Sequence, residues 1–243
     1  MYSEDFDKRN ELSVIFFVQV NINKNKAEMN VLVIGANGEI GTRLVRKLKE
    51  AGHEPKAMVR KEEQVNQFES EGIETVLADL EEDISHAYSG MDAVVFTAGS
   101  GGDTPKSKTK VIDRDGAIKA IDEAEEAGVN RFVIVSALKA NRNEDSWPEA
   151  MQHYYEAKSA ADEHLRNTDL AYTVLMPGRL TNEPGTGKVE LSEHIEDIES
   201  RTITRDDVAA VITEMIDNPA TFGKSLDLLQ GETSIKKAVS GIS

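Results

Sequence analysis

The sequence has no cysteine, which excludes disulfide bonds, thiolate catalysis and cysteine-ligated zinc sites. Positive charge is also scarce, because 28 Lys and Arg side chains stand against 44 Asp and Glu side chains and leave a net charge of −16. Nucleic acids and anionic membranes are bound by clustered positive charge, so we expect neither as the main partner. These absences favour a cytoplasmic protein that binds small molecules.

Long apolar runs are lacking as well, and none approaches the roughly 18 residues that a membrane helix needs. The first 28 residues contain one short apolar run, 14–20, behind an acidic start, whereas a secretory signal has a basic start and a longer run. We expect 1–28 to be either a strand-like N-terminal arm or an extension produced by expression or by the choice of start codon. Residues 29–243 are expected to form one domain.

From residue 29 onward, short β-branched runs alternate with longer charged segments of helical period, which is typical of βαβ units. The predicted strands are 30–35, 54–59, 73–77, 93–98, 131–136, 171–176 and 225–229, and the predicted helices are 40–51, 61–71, 110–128, 148–166 and 205–218. This pattern predicts an α/β fold of Rossmann type, with a doubly wound, mostly parallel sheet of about seven strands and helices on both faces. The stretch 177–203 interrupts the alternation and is expected to be a loop-rich substrate region.

A glycine-rich turn, 35–41, follows the first strand and opens the first helix. Its glycines, Gly35, Gly38 and Gly41, have the spacing G-x-x-G-x-x-G, which permits a sharp turn and close approach of the backbone to a pyrophosphate. The amides at the start of the following helix then hold the anion. The predicted cofactor-binding residues of this turn are Gly35, Asn37, Gly38, Glu39, Ile40 and Gly41. The alternative is a purely structural βα turn.

The residue that ends the second strand indicates which dinucleotide is bound. NAD sites usually place an acid there for the ribose hydroxyl, whereas the 2′-phosphate of NADP needs a cation. This chain has Arg60 followed by Lys61, which favours NADP over NAD, although Arg60 could also be an ordinary surface residue. Asp79, next to Leu80 after the third strand, is placed to accept a bond from the adenine amino group or to cap a helix.

Several further motifs accompany these residues: 78–80 (Ala-Asp-Leu), 97–99 (Thr-Ala-Gly), 128–136, 154–158 (Tyr-Tyr-Glu-Ala-Lys), 176–181 and 205–209. Together they resemble the short-chain dehydrogenase/reductases. More narrowly, the chain is similar to the atypical NAD(P)-binding branch near the epimerase/dehydratase and NmrA-like proteins. The resemblance runs from residue 29 to the C-terminus and is more specific for fold and cofactor than for the reaction.

The resemblance implies a catalytic group formed by Ser136, Tyr154 and Lys158. Ser136 would hold the substrate oxygen while Tyr154 donates or removes its proton. A tyrosine hydroxyl has an ordinary pKa of about 10, so Lys158 would lower that pKa and also bond the nicotinamide ribose. The alternative for both helix residues is packing and solvated charge, and Tyr155 competes with Tyr154 for the role.

The same resemblance implies further cofactor contacts in two loops. They are Thr97, Ala98 and Gly99 beneath the ribose and phosphates, and Pro177, Gly178 and Arg179 near the nicotinamide carboxamide. Arg179 could instead meet a cofactor phosphate or an acidic substrate. Asp115, at the start of the helix after the first loop, is a weaker candidate for a polar contact.

The leading hypothesis is therefore an NADP-dependent oxidoreductase or epimerase/dehydratase-like enzyme that acts on a small carbonyl or alcohol. One alternative is a non-catalytic NADP-binding regulator or redox sensor of the NmrA-like type. Another is a flavin- or biliverdin-reductase-like enzyme, which needs no Tyr-Lys pair. The five histidines are dispersed, so no metal site is predicted. The expected partners are a dinucleotide and a small-molecule substrate, bound by a monomer or a homodimer.

Overall fold

The computed structural model describes residues 28–101, 106–199 and 201–243, so the predicted arm lies outside the described residues apart from its last position. The strands are β1 (Asn30–Ile34), β2 (Glu54–Val59), β3 (Glu74–Leu77), β4 (Ala93–Phe96), β5 (Arg131–Val135), β6 (Ala171–Pro177), β7 (Arg179–Thr181), β8 (Lys188–Ser192), β9 (Thr202–Thr204), β10 (Lys224–Gln230) and β11 (Thr233–Ser234).

The helices are α1 (Glu39–Glu50), α2 (Glu62–Glu69), α3 (Ala117–Glu126), α4 (Gln152–Arg166), α5 (Arg205–Met215) and α6 (Ile235–Ser240). A short helical turn (Lys106–Lys108) and a π-helical segment (Thr109–Gly116) lead directly into α3. Single 3₁₀ turns are formed by Ser85–Tyr88, Leu138–Asn141, Glu144–Ser146, Glu149–Met151 and Pro219–Thr221. Among the residues that the structure describes, no helix has both the length and the apolar character needed to cross a membrane.

Nine strands form the main sheet in the order β11-β8-β10-β6-β5-β4-β1-β2-β3. All neighbours from β10 to β3 are parallel. The order reverses between β1 and β4, which opens a crevice at the carboxyl ends of the strands. The predicted α/β fold of Rossmann type is confirmed, and the predicted strands make up its parallel part.

The sheet is larger than the expected seven strands because β8 and β11 extend it beyond β10. β8 pairs antiparallel with β10, and β11 pairs antiparallel with β8. The region 177–203, predicted to be loop-rich, contains β8 and also β7 and β9, which form a separate two-stranded sheet. These strands are short, and their fully buried apolar side chains are isolated ones, Val189 in β8 and Ile203 in β9, so they lack the apolar runs that identify the central strands.

Two hydrophobic layers cover the two faces of the sheet. Side chains of β1 alternate between them, with Val31 and Val33 packed in the layer of α1, α2, α5 and α6. Leu32 and Ile34 pack in the layer of α3, α4 and the π-helical segment. Because successive residues of a strand point to opposite faces, a strand covered on both sides must be apolar throughout. This arrangement leaves the carboxyl ends of the strands as the accessible edge.

Close packing of the glycine-rich turn requires glycine at position 41. A Cβ added to Gly41 would lie 2.3 Å from the carbonyl oxygen of Gly35 and 2.7 Å from the Cα atom of Ala36. Gly35 itself has φ of 85°, in the left-handed region that favours glycine. The turn is thus built by backbone packed directly against backbone.

We predict that Gly41→Ala lowers the free energy of unfolding by about 1–3 kcal/mol, which is typical of overpacking. In an unobstructed helix the same change raises stability by about 1 kcal/mol. The matched control is Glu50→Ala on the exposed end of α1, which should change stability by less than about 0.5 kcal/mol. Urea unfolding followed by circular dichroism measures both, and a stabilised Gly41→Ala variant would contradict the packing argument.

Candidate functional site

Two adjoining cavities open at the carboxyl ends of the strands. The first, of about 570 Å³, extends from the turn between β1 and α1 to Arg60, and we call it the glycine-loop cavity. The second, of about 910 Å³, is lined by Ser136, Tyr154 and Lys158, and we call it the tyrosine cavity. Both share the loop 97–101 after β4 and the side chain of Arg205. Ligands of open α/β sheets bind in this place, where the strand order reverses.

The structure brings most of the predicted cofactor residues together around the glycine-loop cavity. Its lining includes Gly35, Asn37, Gly38, Glu39, Ile40, Arg60, Leu80, Thr97, Ala98 and Gly99. Gly41 does not line the cavity and instead packs against the turn from behind. No described side chain caps the amino end of α1, so the first amides of this helix can bind an anion.

Arg60 directly follows β2, is exposed and lines the glycine-loop cavity. Lys61, in contrast, is not among the lining residues, and its ammonium lies 3.4 Å from a carboxylate oxygen of Glu63. Gln64, which the sequence analysis missed, also lines the cavity. Its Oε1 accepts hydrogen bonds from the backbone N–H groups of Arg60 at 3.1 Å and Lys61 at 3.2 Å, and thereby holds the turn. Its place as the third residue of α2, from which a glutamine side chain can reach back to the N–H before the helix, was the available signal.

Asp79 forms a turn in the described structure. Its Oδ1 accepts a hydrogen bond of 3.0 Å from the backbone N–H of Glu81. The neighbours Ala78 and Leu80 line the glycine-loop cavity, and Asp79 is not among its lining residues. The contact of Asp79 with adenine therefore stays a prediction, and the hydrogen bond of Asp79 closes a turn at which no helix begins, so it is not the helix cap of the alternative.

A buried ion pair lies in the wall of the tyrosine cavity. The Nζ atom of Lys158 is 3.2 Å from Oδ1 of Asp113 and donates to the carbonyl oxygen of Val135 at 3.3 Å. The other oxygen of Asp113 accepts a 3.0 Å bond from the backbone N–H of Ser100. The ammonium also lies 5.9 Å from the centre of the Tyr154 ring. The pair thus joins α4, the π-helical segment and the loop after β4.

The sequence analysis chose the wrong acid on this segment when it named Asp115 as a polar contact. Asp115 is half-exposed and pairs with Arg114 at 2.7 Å, whereas Asp113 is almost completely buried. The segment is wound as a π-helix, so side chains do not follow the 3.6-residue period on which sequence reasoning relies. The winding therefore decides which carboxylate faces inward.

Burial reinforces the neutral form of Tyr154. It raises the pKa of the hydroxyl above its ordinary value and outweighs the opposing effect of Lys158, while Asp113 and Asp162 raise it further. The pKa of Lys158 is raised in spite of burial, which lowers it, because Tyr154 and Asp113 favour the ammonium. The expected lowering of the tyrosine pKa by the lysine is thus outweighed in this structure. Near neutral pH, Tyr154 keeps its proton and can donate it.

Ser136 forms a hydrogen bond with Asp162, an acid that was not predicted from the sequence. Its hydroxyl donates to Oδ2 of Asp162 at 2.5 Å, and both side chains are buried. Burial raises the pKa of Asp162 to about 6. Asp162 follows Lys158 by one helical turn, so its spacing on the inward face of α4 was the available signal.

Tyr155 also lines the tyrosine cavity, but its ring packs against aromatic neighbours. The ring centre lies 5.8 Å from that of Trp147 and 5.4 Å from that of Tyr154. The indole N–H of Trp147 donates to the carbonyl oxygen of Lys139 at 2.7 Å, which anchors the preceding loop. Of the two tyrosines, Tyr154 is the one whose ring has a close contact with the ammonium of Lys158.

Cations outnumber carboxylates in the lining of the tyrosine cavity, although most of them pair with a carboxylate, as Lys139 does with Glu199 at 3.5 Å. Its described lining carries the cations Lys139, Lys158, Arg179, Arg201 and Arg205, and one carboxylate, Asp113. The predicted residues Pro177, Gly178 and Arg179 all belong to this lining. Arg205 is held by Glu39 at 2.8 Å, and Arg201 is held by Glu190 at 2.5 Å. Local placement of cations thus opposes the overall charge of −16.

A comparison with protein families assigns the chain to a family. The profile described as NAD(P)H-binding matches residues 35–219, which include all the residues that line the two cavities except Ile34. The chain belongs to the NAD(P)H-binding family. The predicted resemblance to NAD(P)-binding Rossmann proteins of the epimerase/dehydratase and NmrA-like type is confirmed.

Relatives of this NAD(P)H-binding protein occur in bacteria and fungi. It is 47% identical over 215 residues to YhfK of Bacillus subtilis, named an uncharacterized sugar epimerase, and the match covers 87% of this chain and 99% of that protein. It is 38% identical over 226 residues to the UPF0659 protein YMR090W of Saccharomyces cerevisiae, with coverage of 88% and 99%.

Two solved structures support the same assignment. A Bacillus halodurans protein, provisionally named an NAD-dependent epimerase/dehydratase, has a TM-score of 0.84 and 49% identity, and the match covers 87% of this chain and 99% of that one. The oxidoreductase YlbE from Lactococcus lactis has a TM-score of 0.79 and 31% identity, with coverage of 88% and 96%. An NAD(P)-binding fold of the oxidoreductase and epimerase type is therefore common to this chain and its relatives.

Within residues 28–101, 106–199 and 201–243, no group of three or more His, Cys, Asp or Glu side chains is arranged to hold a metal ion.

We predict that Asp113→Asn destabilises the NAD(P)H-binding domain by about 3–5 kcal/mol, because it leaves the buried ammonium of Lys158 without a counter-charge. The amide keeps the size of the side chain and an oxygen for the N–H of Ser100. The matched control is Asp115→Asn, which breaks an exposed pair and should cost less than about 1 kcal/mol. Urea unfolding at neutral pH measures both, and equal effects would show that the buried pair has no special importance.

Proposed function

We propose that this protein is an NADP-dependent oxidoreductase that acts on a small carbonyl or alcohol substrate. The observation that carries the proposal is that Tyr154 and Lys158 lie in a cavity that directly adjoins the glycine-loop cavity. A proton donor thus stands beside the expected position of the reactive end of the cofactor. The Bacillus subtilis relative is named a sugar epimerase. This name supports a polar substrate that carries an alcohol or carbonyl group.

The residues of the glycine-loop cavity fit a dinucleotide that carries a 2′-phosphate. The backbone-on-backbone packing of Gly35 and Gly41 leaves the amides of the turn and of α1 for the pyrophosphate. Arg60 would bind the 2′-phosphate, since its guanidinium lies in the cavity and forms no ion pair with any carboxylate in the described part of the chain. A guanidinium can donate two charge-assisted hydrogen bonds to the same phosphate. When bound, the nicotinamide supplies or accepts the hydride.

Tyr154 would transfer the proton at its hydroxyl oxygen. Because its pKa is raised chiefly by burial, the protonated form is the resting form, and this favours reduction of a carbonyl over oxidation of an alcohol. Lys158, fixed by Asp113 at 3.2 Å, would hold the ribose side of the cofactor and steady the charge that develops on the tyrosine. Together the two side chains would hold the cofactor in position and protonate the substrate oxygen.

The charge of the tyrosine cavity supports a substrate that carries an anionic group. Arg179 is exposed in the lining and pairs with no carboxylate within the described residues. Arg201 and Lys139 lie in the same lining. A carboxylate or phosphate on the substrate would be attracted to these groups at short range, so carbonyl compounds with such a group are the first to test.

We predict that Tyr154→Phe lowers kcat for carbonyl reduction by about 100-fold or more, because it removes the proton donor. NADPH binding, measured by fluorescence, should be unchanged. The matched control is Tyr155→Phe, which removes a hydroxyl from the same cavity and should retain most of the activity. Both are measured as NADPH consumption with a panel of neutral and acidic carbonyl compounds.

The outcomes of this experiment separate the competing functions. If the protein binds NADPH but reduces no carbonyl compound, and if Tyr154→Phe changes neither measurement, the protein is a regulator or redox sensor of the NmrA-like type. If flavin or biliverdin is reduced and this activity survives in Tyr154→Phe, the reaction does not use the tyrosine. Either result would overturn the proposed mechanism.

We predict that Arg60→Ala weakens NADPH binding by about 10- to 100-fold, since hydrogen bonds to a charged group contribute about 1.5–3 kcal/mol. NADH binding should change less than about twofold, because NADH has no 2′-phosphate for the guanidinium to bind. Lys61→Ala is the control, since Lys61 lies outside the cavity lining. Isothermal titration with both dinucleotides measures the ratio, and equal losses for NADPH and NADH would refute the preference for NADP.

A further inference from the structure

The hydrogen bond between Ser136 and Asp162 constrains what Ser136 can do in the tyrosine cavity. Ser136 follows β5 and Asp162 lies on α4, and the distance from Oγ to Oδ2 is 2.5 Å. Ser136 is 4% exposed and Asp162 is 1% exposed. Water therefore competes little for either group, and the partners of each are set by the protein.

A count of protons decides the direction of this bond. An ionised carboxylate only accepts hydrogen bonds, and a serine hydroxyl has one proton to donate. While Asp162 is ionised, the Ser136 hydroxyl donates to it and presents only lone pairs to the cavity. A substrate carbonyl oxygen also has only lone pairs, so Ser136 can bind it only if Asp162 becomes protonated and donates to Ser136 instead.

The surroundings of Asp162 favour uptake of that proton. Its Oδ1 is buried and has no hydrogen-bond partner in the part of the chain that the structure describes. The cations that act on it are Lys158 and Arg166, both on α4. Lys158 is held by Asp113 of the π-helical segment at 3.2 Å, and Arg166 donates from Nε to Ser225 of β10 at 3.0 Å. Neither cation forms an ion pair with Asp162.

We propose that Asp162 is a positioning residue whose protonation decides whether Ser136 binds a carbonyl or an alcohol oxygen. Protonated Asp162 frees the Ser136 proton for a carbonyl, and ionised Asp162 leaves Ser136 as an acceptor for an alcohol hydroxyl. This inference rests on the function proposed above. The proton on Asp162 is not consumed, because in carbonyl reduction the hydride goes to carbon and the proton that reaches oxygen comes from Tyr154.

The two protonation states of Asp162 determine whether carbonyl reduction becomes faster or slower as the pH rises. Burial raises the pKa of Asp162 from 3.8 to about 6, so the protonated form that binds a carbonyl predominates below about pH 6. Above that pH, kcat/KM for carbonyl reduction should fall by about tenfold per pH unit, as for a single essential acid. Tyr154 does not produce this fall, because its pKa lies above its ordinary value.

The decisive variant is Asp162→Asn. Asparagine is close in size to aspartate and does not titrate, and its NH₂ group can donate to Ser136 at every pH, so the hydrogen bond no longer depends on pH. Between about pH 5 and about pH 8, kcat/KM should be flat in this variant and should fall in the unmodified protein. His153→Gln, which alters another side chain of the tyrosine cavity, is the control and should keep the fall.

A second measurement needs no activity. In protein labelled with ¹³C at the aspartate carboxyls, the signal that is missing from Asp162→Asn belongs to Asp162, and its titration midpoint should lie at about pH 6. A midpoint near the ordinary 3.8 would overturn the inference. So would an active reductase with a flat profile, or an Asp162→Asn variant that keeps the fall; either result leaves the proposed function intact. A protein that reduces no carbonyl contradicts the proposed function, and the inference with it.

Discussion

The candidate site depends on one buried ion pair, between Lys158 and Asp113. Burying an ammonium costs several kcal/mol unless a counter-charge is in contact with it, and Asp113 supplies that charge at 3.2 Å. Because Asp113 also binds the N–H of Ser100, the pair connects α4, the π-helical segment and the loop after β4. These elements form walls of the tyrosine cavity, and the loop is shared with the glycine-loop cavity. The same pair also limits how far Lys158 can lower the pKa of Tyr154.

The positions of individual charges matter more to the site than the net charge of the whole chain. The acid excess of −16 argues against nucleic-acid partners, yet the tyrosine cavity has five cations and one carboxylate in its described lining. Charges on exposed surfaces are screened by salt over about 10 Å, so distant acids affect a bound anion little. The lining cations act at contact distance. An acidic protein can therefore provide a local site for an anionic group.

Much of the fold and part of the site could be predicted from local patterns. The glycine spacing, the apolar parallel strands and the Tyr-x-x-x-Lys spacing each lie within a few consecutive residues, and the fold and family that they indicated are confirmed. Asp113 could not be chosen over Asp115, because π-helical winding changes the face on which a residue lies. Asp162 was missed because an acid on an amphipathic helix is usually solvated.

The sequence by itself determined the α/β architecture, the phosphate-binding turn and the presence of a tyrosine and a lysine one helical turn apart. These follow from local backbone preferences and from periodic burial. Only the tertiary structure decided that β8 and β11 extend the sheet, that Lys158 is neutralised by Asp113 and that the Ser136 hydroxyl points to Asp162, 26 residues away in the chain. The physical reason is that charge state and hydrogen-bond direction depend on burial and on the nearest partner atoms, and those come from segments that meet only in the folded protein.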